Sequence, residues 1–434
     1  MNPLAKTLNE QIQQRAPHVF ELLSGLGKEL YFPKGILSQT AEARQKATRY
    51  NATIGIAKEQ GEAMHLLSVM KYFNGLLTDD VLPYAPAPGK PELRSRWRQE
   101  LFQKNPTLRN KHISLPVVTS GITHGLSLVG ELFIDQGDTV LLPDKSWGNY
   151  RMIFGVRRGA EIKTYPFFSD DGGFDTEGFR RTLFEQTGSG KTVVMLNFPN
   201  NPTGYSVTEP EARSICDALT AVAESGCNVV VVCDDAYFGL FYEAEVLKES
   251  IFGYLANCHQ RVLAAKLDGA TKEHYVWGLR VGFLTFGTSS GDDEVYEALE
   301  KKTAGAIRGN ISNSSHLSQT LVLRMMEDAE YLEEKQKKFS TLRARAAAVK
   351  EVLAQERFAH VWTPYPFNSG YFMCLKLNGI DAEVFRLRLL EEYGVGVIAT
   401  NNSDIRVAFS CIEESDIPEL FDVMYRCAEE IAAK

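Results

Sequence analysis

Residues Thr192–Gly204 read TVVMLNFPNNPTG, and Asn228–Tyr237 read NVVVVCDDAY. In each, an unbroken apolar run rich in β-branched residues ends abruptly in polar ones. A strand that is apolar at successive positions is covered on both faces, as in a parallel sheet. Between the two lies Thr208–Glu224, which has helical character. Thr208 and Glu211 are spaced for a capping box, and Pro210 suits the first turn. Similar runs recur at Asp138–Leu142, Val262–Lys266 and Val281–Phe286. Strands alternating with helices from about residue 115 to 290 predict an α/β domain with a mostly parallel sheet flanked by helices. We assign it residues 61–325.

Glu327–Gln355 contains neither glycine nor proline and is rich in charge, which predicts a long helix leaving that sheet. A turn at Thr363–Phe367, strands near Tyr371–Leu377 and Ile405–Ser410, and a final helix from Ser415 complete a smaller α+β domain, residues 326–434. Residues 1–60 are read as an N-terminal segment, largely helical and polar, that packs with the small domain.

Composition narrows the function. Of 434 residues, 44% are apolar and 24% charged, ordinary for a globular chain able to bury a large core. Forty-seven basic against 55 acidic side chains give a net charge of -8, which argues against nucleic acid or an anionic membrane as partner. The seven cysteines are scattered, without C-x-x-C spacing, so they predict reduced thiols rather than a metal site. The first residues lack the apolar core of a signal peptide, and no apolar run reaches membrane-span length. A cytoplasmic protein is expected.

Open α/β sheets bind ligands beyond the carboxyl ends of their strands, so polar residues after apolar runs are the candidates. Thr119-Ser120-Gly121-Ile122-Thr123 opens a helix and offers free N–H groups to an anion, although such turns also serve as plain N-caps. Asn197–Gly204 is a rigid turn that aims Asn201. Asp234, ending a buried run, needs a cation, for which a protonated ring nitrogen would serve. An acidic pair capping the next helix is the alternative there. Lys272, in Asp268–Lys272, is a possible Schiff-base nucleophile, with Arg280 of Gly278–Gly282 close by for a phosphate. Lys266 lies inside its apolar run and lacks the same relation to Gly278 and Arg280.

Taken in order, the N-P-T-G turn, the D-x-A-Y strand end and a lysine eight residues before the arginine of G-x-R-x-G resemble the class I aminotransferases of the fold-type-I pyridoxal-phosphate enzymes. The aspartate and aromatic branch is the most similar. The resemblance implies that Lys272 carries the cofactor, pyridoxal 5'-phosphate, and that Asp234 pairs with its ring nitrogen. Tyr237 and Asn201 would bond the ring oxygen, and Trp147 would stack on the ring. Arg280 and the backbone of Ser120, Gly121 and Ile122 would hold the phosphate. Tyr84 would reach the phosphate of a neighbouring subunit, implying a homodimer with shared active sites. For the substrate, Arg406 would grip the α-carboxylate, with Gly55, Asn201 and Trp147 beside it. Arg308 would cross the interface to a distal carboxylate.

The implied reaction moves an amino group from an aspartate- or aromatic-type L-amino acid to 2-oxoglutarate. Lyase, decarboxylase or cyclopropane-carboxylate synthase chemistry on the same fold is the rival, and a ligand-sensing protein that borrowed the fold is a second. Three departures stand out: Gly269 in place of serine, Tyr150 in place of histidine, and Ser314-Ser315 in place of two prolines.

Overall fold

The computed structural model describes residues 1–432 save Lys34, Thr187 and Ser189. Seven strands form the main sheet: β1 (Val117–Thr119), β2 (Thr139–Pro143), β3 (Glu161–Tyr165), β4 (Lys191–Asn197), β5 (Asn228–Asp234), β6 (Val262–Gly269) and β7 (Gly282–Gly287). Their order across the sheet is β1-β7-β6-β5-β4-β2-β3. Strands β2 to β6 are parallel, and β7 runs antiparallel to both of its neighbours. The three central apolar runs are buried almost throughout, as their composition demands. Strand β3 was not among the expected strands. It lies at the sheet edge, half exposed, so EIKTY carries no apolar run to announce it.

Between β4 and β5 runs helix Glu209–Glu224, with the expected capping box in place: the Glu211 side chain accepts from Thr208 N at 2.7 Å. Its buried face carries Ile215, Leu219 and Val222. The pairing of β4 with β5 sets Asn197 directly beside Asp234, so two polar strand ends meet at one edge of the sheet.

The charge-rich stretch after the sheet is helical over Tyr331–Leu353, preceded by a separate helix His316–Met326. A second sheet follows, from β8 (Trp362–Pro364), β9 (Met373–Leu377), β10 (Ile398–Ala399) and β11 (Asp404–Val407), antiparallel in the order β8-β9-β11-β10. The expected turn at 363–367 therefore begins inside β8. With helices Ala382–Tyr393 and Ile417–Ala432 this sheet encloses a second apolar core. Helix Ile36–Lys46 docks on it. Gln39 exchanges two hydrogen bonds with the Ala399 backbone, at 3.1 and 2.9 Å, and Glu42 pairs with Arg386 at 2.9 Å. No helix among the described residues is long and apolar enough to cross a membrane.

Candidate active site

At the carboxyl ends of the central strands lies a cavity of about 340 Å³. Of the residues singled out in the sequence, Gly55, Ile122, Trp147, Asn201, Asp234, Tyr237, Lys272, Arg280 and Arg406 line it. Segments from near both ends of the chain converge there with those of the central sheet.

Lys272 sits on the single helical turn Ala270–Glu273 that directly follows β6. Its Nζ lies 4.8 Å from the centre of the Tyr237 ring. Burial pulls its pKa down to about 8, with Arg280 adding to the shift and Asp234 opposing it. The other candidate, Lys266, is committed elsewhere. Its ammonium is fully buried and pairs with Asp235 and, at 3.0 Å, with Asp268. Only the free amine attacks a carbonyl, so the rate at which the cofactor-free protein captures an aldehyde through Lys272 should climb as pH rises toward 8 and level off above it. Stopped-flow absorbance across pH 6 to 10 would show this, and a rate still climbing to pH 10 would mean an unshifted lysine.

Asp234 ends β5 almost fully buried. Its Oδ2 accepts from the Tyr150 hydroxyl at 2.5 Å and its Oδ1 from Ala236 N at 3.1 Å. Burial still raises its pKa, which marks a carboxylate suited to a cationic partner. Beside it, Asn197 donates to the Asp234 carbonyl at 2.8 Å and accepts from Asn201 N at 2.9 Å. The turn that aims Asn201 is thus pinned to the strand that carries the acid.

Arg406 reaches in from β11. Nη1 donates to Asn201 Oδ1 at 3.1 Å and Nη2 to the Thr53 carbonyl at 2.9 Å, with the guanidinium 4.1 Å above the Phe372 ring. Its Nε is buried with no hydrogen-bond partner among the described residues.

On the opposite side, Arg280 adopts a left-handed backbone, φ 54°, after the short turn Trp277–Leu279. Gly121, φ 80°, lets the arginine approach: a Cβ there would stand 2.5 Å from Arg280 Nη2. Within the loop, Ser120 N donates to His124 Nδ1 at 3.1 Å and Gly121 N to the Thr119 carbonyl at 2.9 Å. Free donors come instead from the first residues of helix Ile122–Phe133, Ile122 and Thr123, both at the cavity wall. Close packing also accounts for Gly269, where a serine was expected. A Cβ at that position would lie 2.7 Å from the Val281 carbonyl.

Tyr84 and Arg308 are not part of the cavity. Tyr84 is 89% exposed, and Arg308 is exposed with Nη1 on Ser312 Oγ. Sequence reasoning missed Ile36, Ile56, Thr271, Trp277 and Phe372, which also line the wall. Trp277, five residues beyond Lys272, carried a sequence signal by proximity, whereas the apolar ones carried none.

The donors fit a phosphorylated aromatic ligand. Thr271 Oγ1 and Trp277 Nε1 are buried without partners among the described residues. Arg280 and a helix N-terminus suit a phosphate, Asp234 a ring nitrogen, and Lys272 a carbonyl carbon. The sequence profile of the family "Aminotransferase class I and II" matches residues 55–424. The chain belongs to that family. It is 26% identical over 349 residues to the probable N-acetyl-LL-diaminopimelate aminotransferase of Bacillus subtilis, covering 77% of this chain and 79% of that one. To the cytoplasmic aspartate aminotransferase of Saccharomyces cerevisiae it is 22% identical over 375 residues, 83% and 87% of the two chains. The crystal structure of an aminotransferase from Anaerococcus prevotii superposes with a TM-score of 0.81 at 26% identity, over 92% of this chain and 96% of that one. This aminotransferase is accordingly a pyridoxal-phosphate-dependent transaminase acting on amino and oxo acids.

Proposed function

We propose that this aminotransferase takes the amino group of an aspartate- or aromatic-type L-amino acid and delivers it to 2-oxoglutarate, as a cytoplasmic homodimer with shared active sites. The observation that carries the reading is the meeting of Lys272, Asp234, Arg280 and Arg406 in one cavity. Lys272 would tether the cofactor, Asp234 would face its ring nitrogen, Arg280 would hold its phosphate, and Arg406 would bind the substrate α-carboxylate. Trp147 would cover the ring, while Tyr237 and Asn201 would bond its oxygen. When bound, pyridoxal phosphate supplies a carbonyl carbon for the amino group and an electron-withdrawing ring.

The chain's own residues then do the proton work. Arg406 and Asn201 fix the carboxylate, which presents the α-carbon hydrogen to the Lys272 amine. With its pKa at about 8, Lys272 Nζ would be able to take that proton near neutral pH and hold it within the site, ready to give it back. Arg406 rides on the small sheet, so closure of residues 326–434 and the 1–60 segment over residues 61–325 would exclude water from this transfer.

The dimer and the dicarboxylate preference rest on a second region. Leu67, Phe73, Leu77, Leu82 and Tyr84 are exposed, as are Ile311 and Leu317 just beyond Arg308. Thr320 Oγ1 bonds the Asp80 carbonyl at 2.7 Å and so draws the two groups together. An exposed apolar surface of this kind is suited to a subunit contact. Arg308 and Tyr84 would then serve the partner's cavity. The seven free cysteines suit the reducing cytoplasm.

A panel of amino acids mixed with the holoenzyme tests the donor class, read as loss of the visible cofactor band. Aspartate, glutamate, tyrosine and phenylalanine should bleach it fastest, and 2-oxoglutarate should restore it. Bleaching by N-acetylated diaminopimelate or histidinol phosphate alone would overturn the donor assignment while leaving the transaminase intact.

A further inference from the structure

Tyr150 stands where the family resemblance leads one to expect histidine, and it has no part in the proton transfer. Its side chain is 1% exposed, and its hydroxyl donates to Asp234 Oδ2 at 2.5 Å. The ring is held from two directions. Trp147 meets it edge to face, centroids 5.5 Å apart, and Phe154 lies nearly parallel at 6.5 Å. The hydroxyl therefore has a fixed direction, toward the acid. The one other hydrogen bond to that carboxylate, among the described residues, is the Ala236 N–H.

We propose that Tyr150 is a positioning residue whose neutral hydroxyl keeps Asp234 ionised and aimed at the cofactor's ring nitrogen, at a strength that does not change with pH across the working range. The inference rests on the assignment of Asp234 to that nitrogen. Burial pushes the Asp234 carboxyl up, and the Tyr150 hydrogen bond is the largest influence pulling it back, ahead of Lys272, Ala236 N and Lys266. The groups bearing on Tyr150 are Asp234, Tyr237 and Tyr165, and together with burial they hold its own pKa far above the ordinary tyrosine value. It stays a donor at every pH at which the protein works. A histidine at this place would change charge near pH ~6.5 and carry the acid's strength with it.

The test uses wild type, Tyr150→Phe and Tyr150→His, each stripped of cofactor. Each is reloaded with pyridoxal phosphate or with the analogue in which CH replaces the ring nitrogen. A hydrogen bond to a charged acceptor corresponds to a change of about 10- to 100-fold in affinity. Tyr150→Phe should therefore bind pyridoxal phosphate about 10- to 100-fold more weakly than wild type, yet bind the analogue as wild type does. Tyr150→His should recover most of the affinity and gain a visible band that shifts between about pH 5.5 and 7.5. If Tyr150→Phe weakens both ligands equally, the hydroxyl only supports the fold there and the inference falls. If wild type itself binds the two ligands alike, the Asp234 assignment fails and takes this inference with it. A band in Tyr150→His that is independent of pH would overturn the pH claim alone.

Discussion

Lys272→Ala should lower kcat by at least about 10³-fold with every donor, a loss in the range expected when a positioned acid–base group is removed. The cavity offers no substitute. Lys272 is the one lysine on its wall among the described residues, and Lys266 is tied down in the core by Asp235 and Asp268. Nor should the fold suffer. Lys272 is a buried amine whose charged form the site disfavours, so removing it costs no buried ion pair. Circular dichroism and the thermal midpoint should match wild type or exceed it. Borohydride followed by mass spectrometry should leave the cofactor on residue 272 of the wild type and nowhere on the variant. A variant that transaminates at the wild-type rate would sink the assignment of this lysine, and cofactor trapped on Lys266 instead would move the chemistry to that residue.

What could be read from the sequence follows from how local each signal is. Strands β4, β5 and β6 were legible because both of their faces are buried, so hydrophobicity runs through every position. The capping box of helix Glu209–Glu224 was legible because its two partners are three residues apart. Lys272, Asp234 and Asn201 could be singled out because each lies at or within a few residues of a strand end. Pairings across long stretches of chain left no such trace. Tyr50–Asn51 pairs in parallel with Val395–Gly396, and β7 enters between β1 and β6 against the direction of the sheet. The same holds for Ile36, Ile56 and Phe372. Each is an ordinary apolar residue until the fold sets it in the wall of the cavity. The ion pair of Lys266 with Asp235 was equally hidden, because Asp235 follows a different strand. Sequence could only rank Lys266 below Lys272, and geometry supplies the reason.

The Arg406→Ala protein should lose most of its grip on amino acids while keeping its cofactor. In the structure this guanidinium is anchored by the Thr53 carbonyl and Asn201 Oδ1 and rests on Phe372, with Nε left over. A planar cation held from behind is already in place for a two-pronged bond to a carboxylate, so little ordering is left to do on binding. Truncating one partner of a buried, hydrogen-bonded charge pair costs about 2–5 kcal/mol, equivalent to about 30- to 5,000-fold in kcat/KM. Arg406→Lys should recover only a small part of this. A compact ammonium cannot reach Asn201, Thr53 and both substrate oxygens at once. The decisive measurement compares each amino acid with the amine that lacks its carboxylate. Wild type should prefer the amino acid strongly, and Arg406→Ala should treat the pair nearly alike, with the amine's own kcat/KM little changed. Should the preference survive the substitution, the carboxylate is bound by another group, and Arg406 serves only to brace Asn201 against the small sheet.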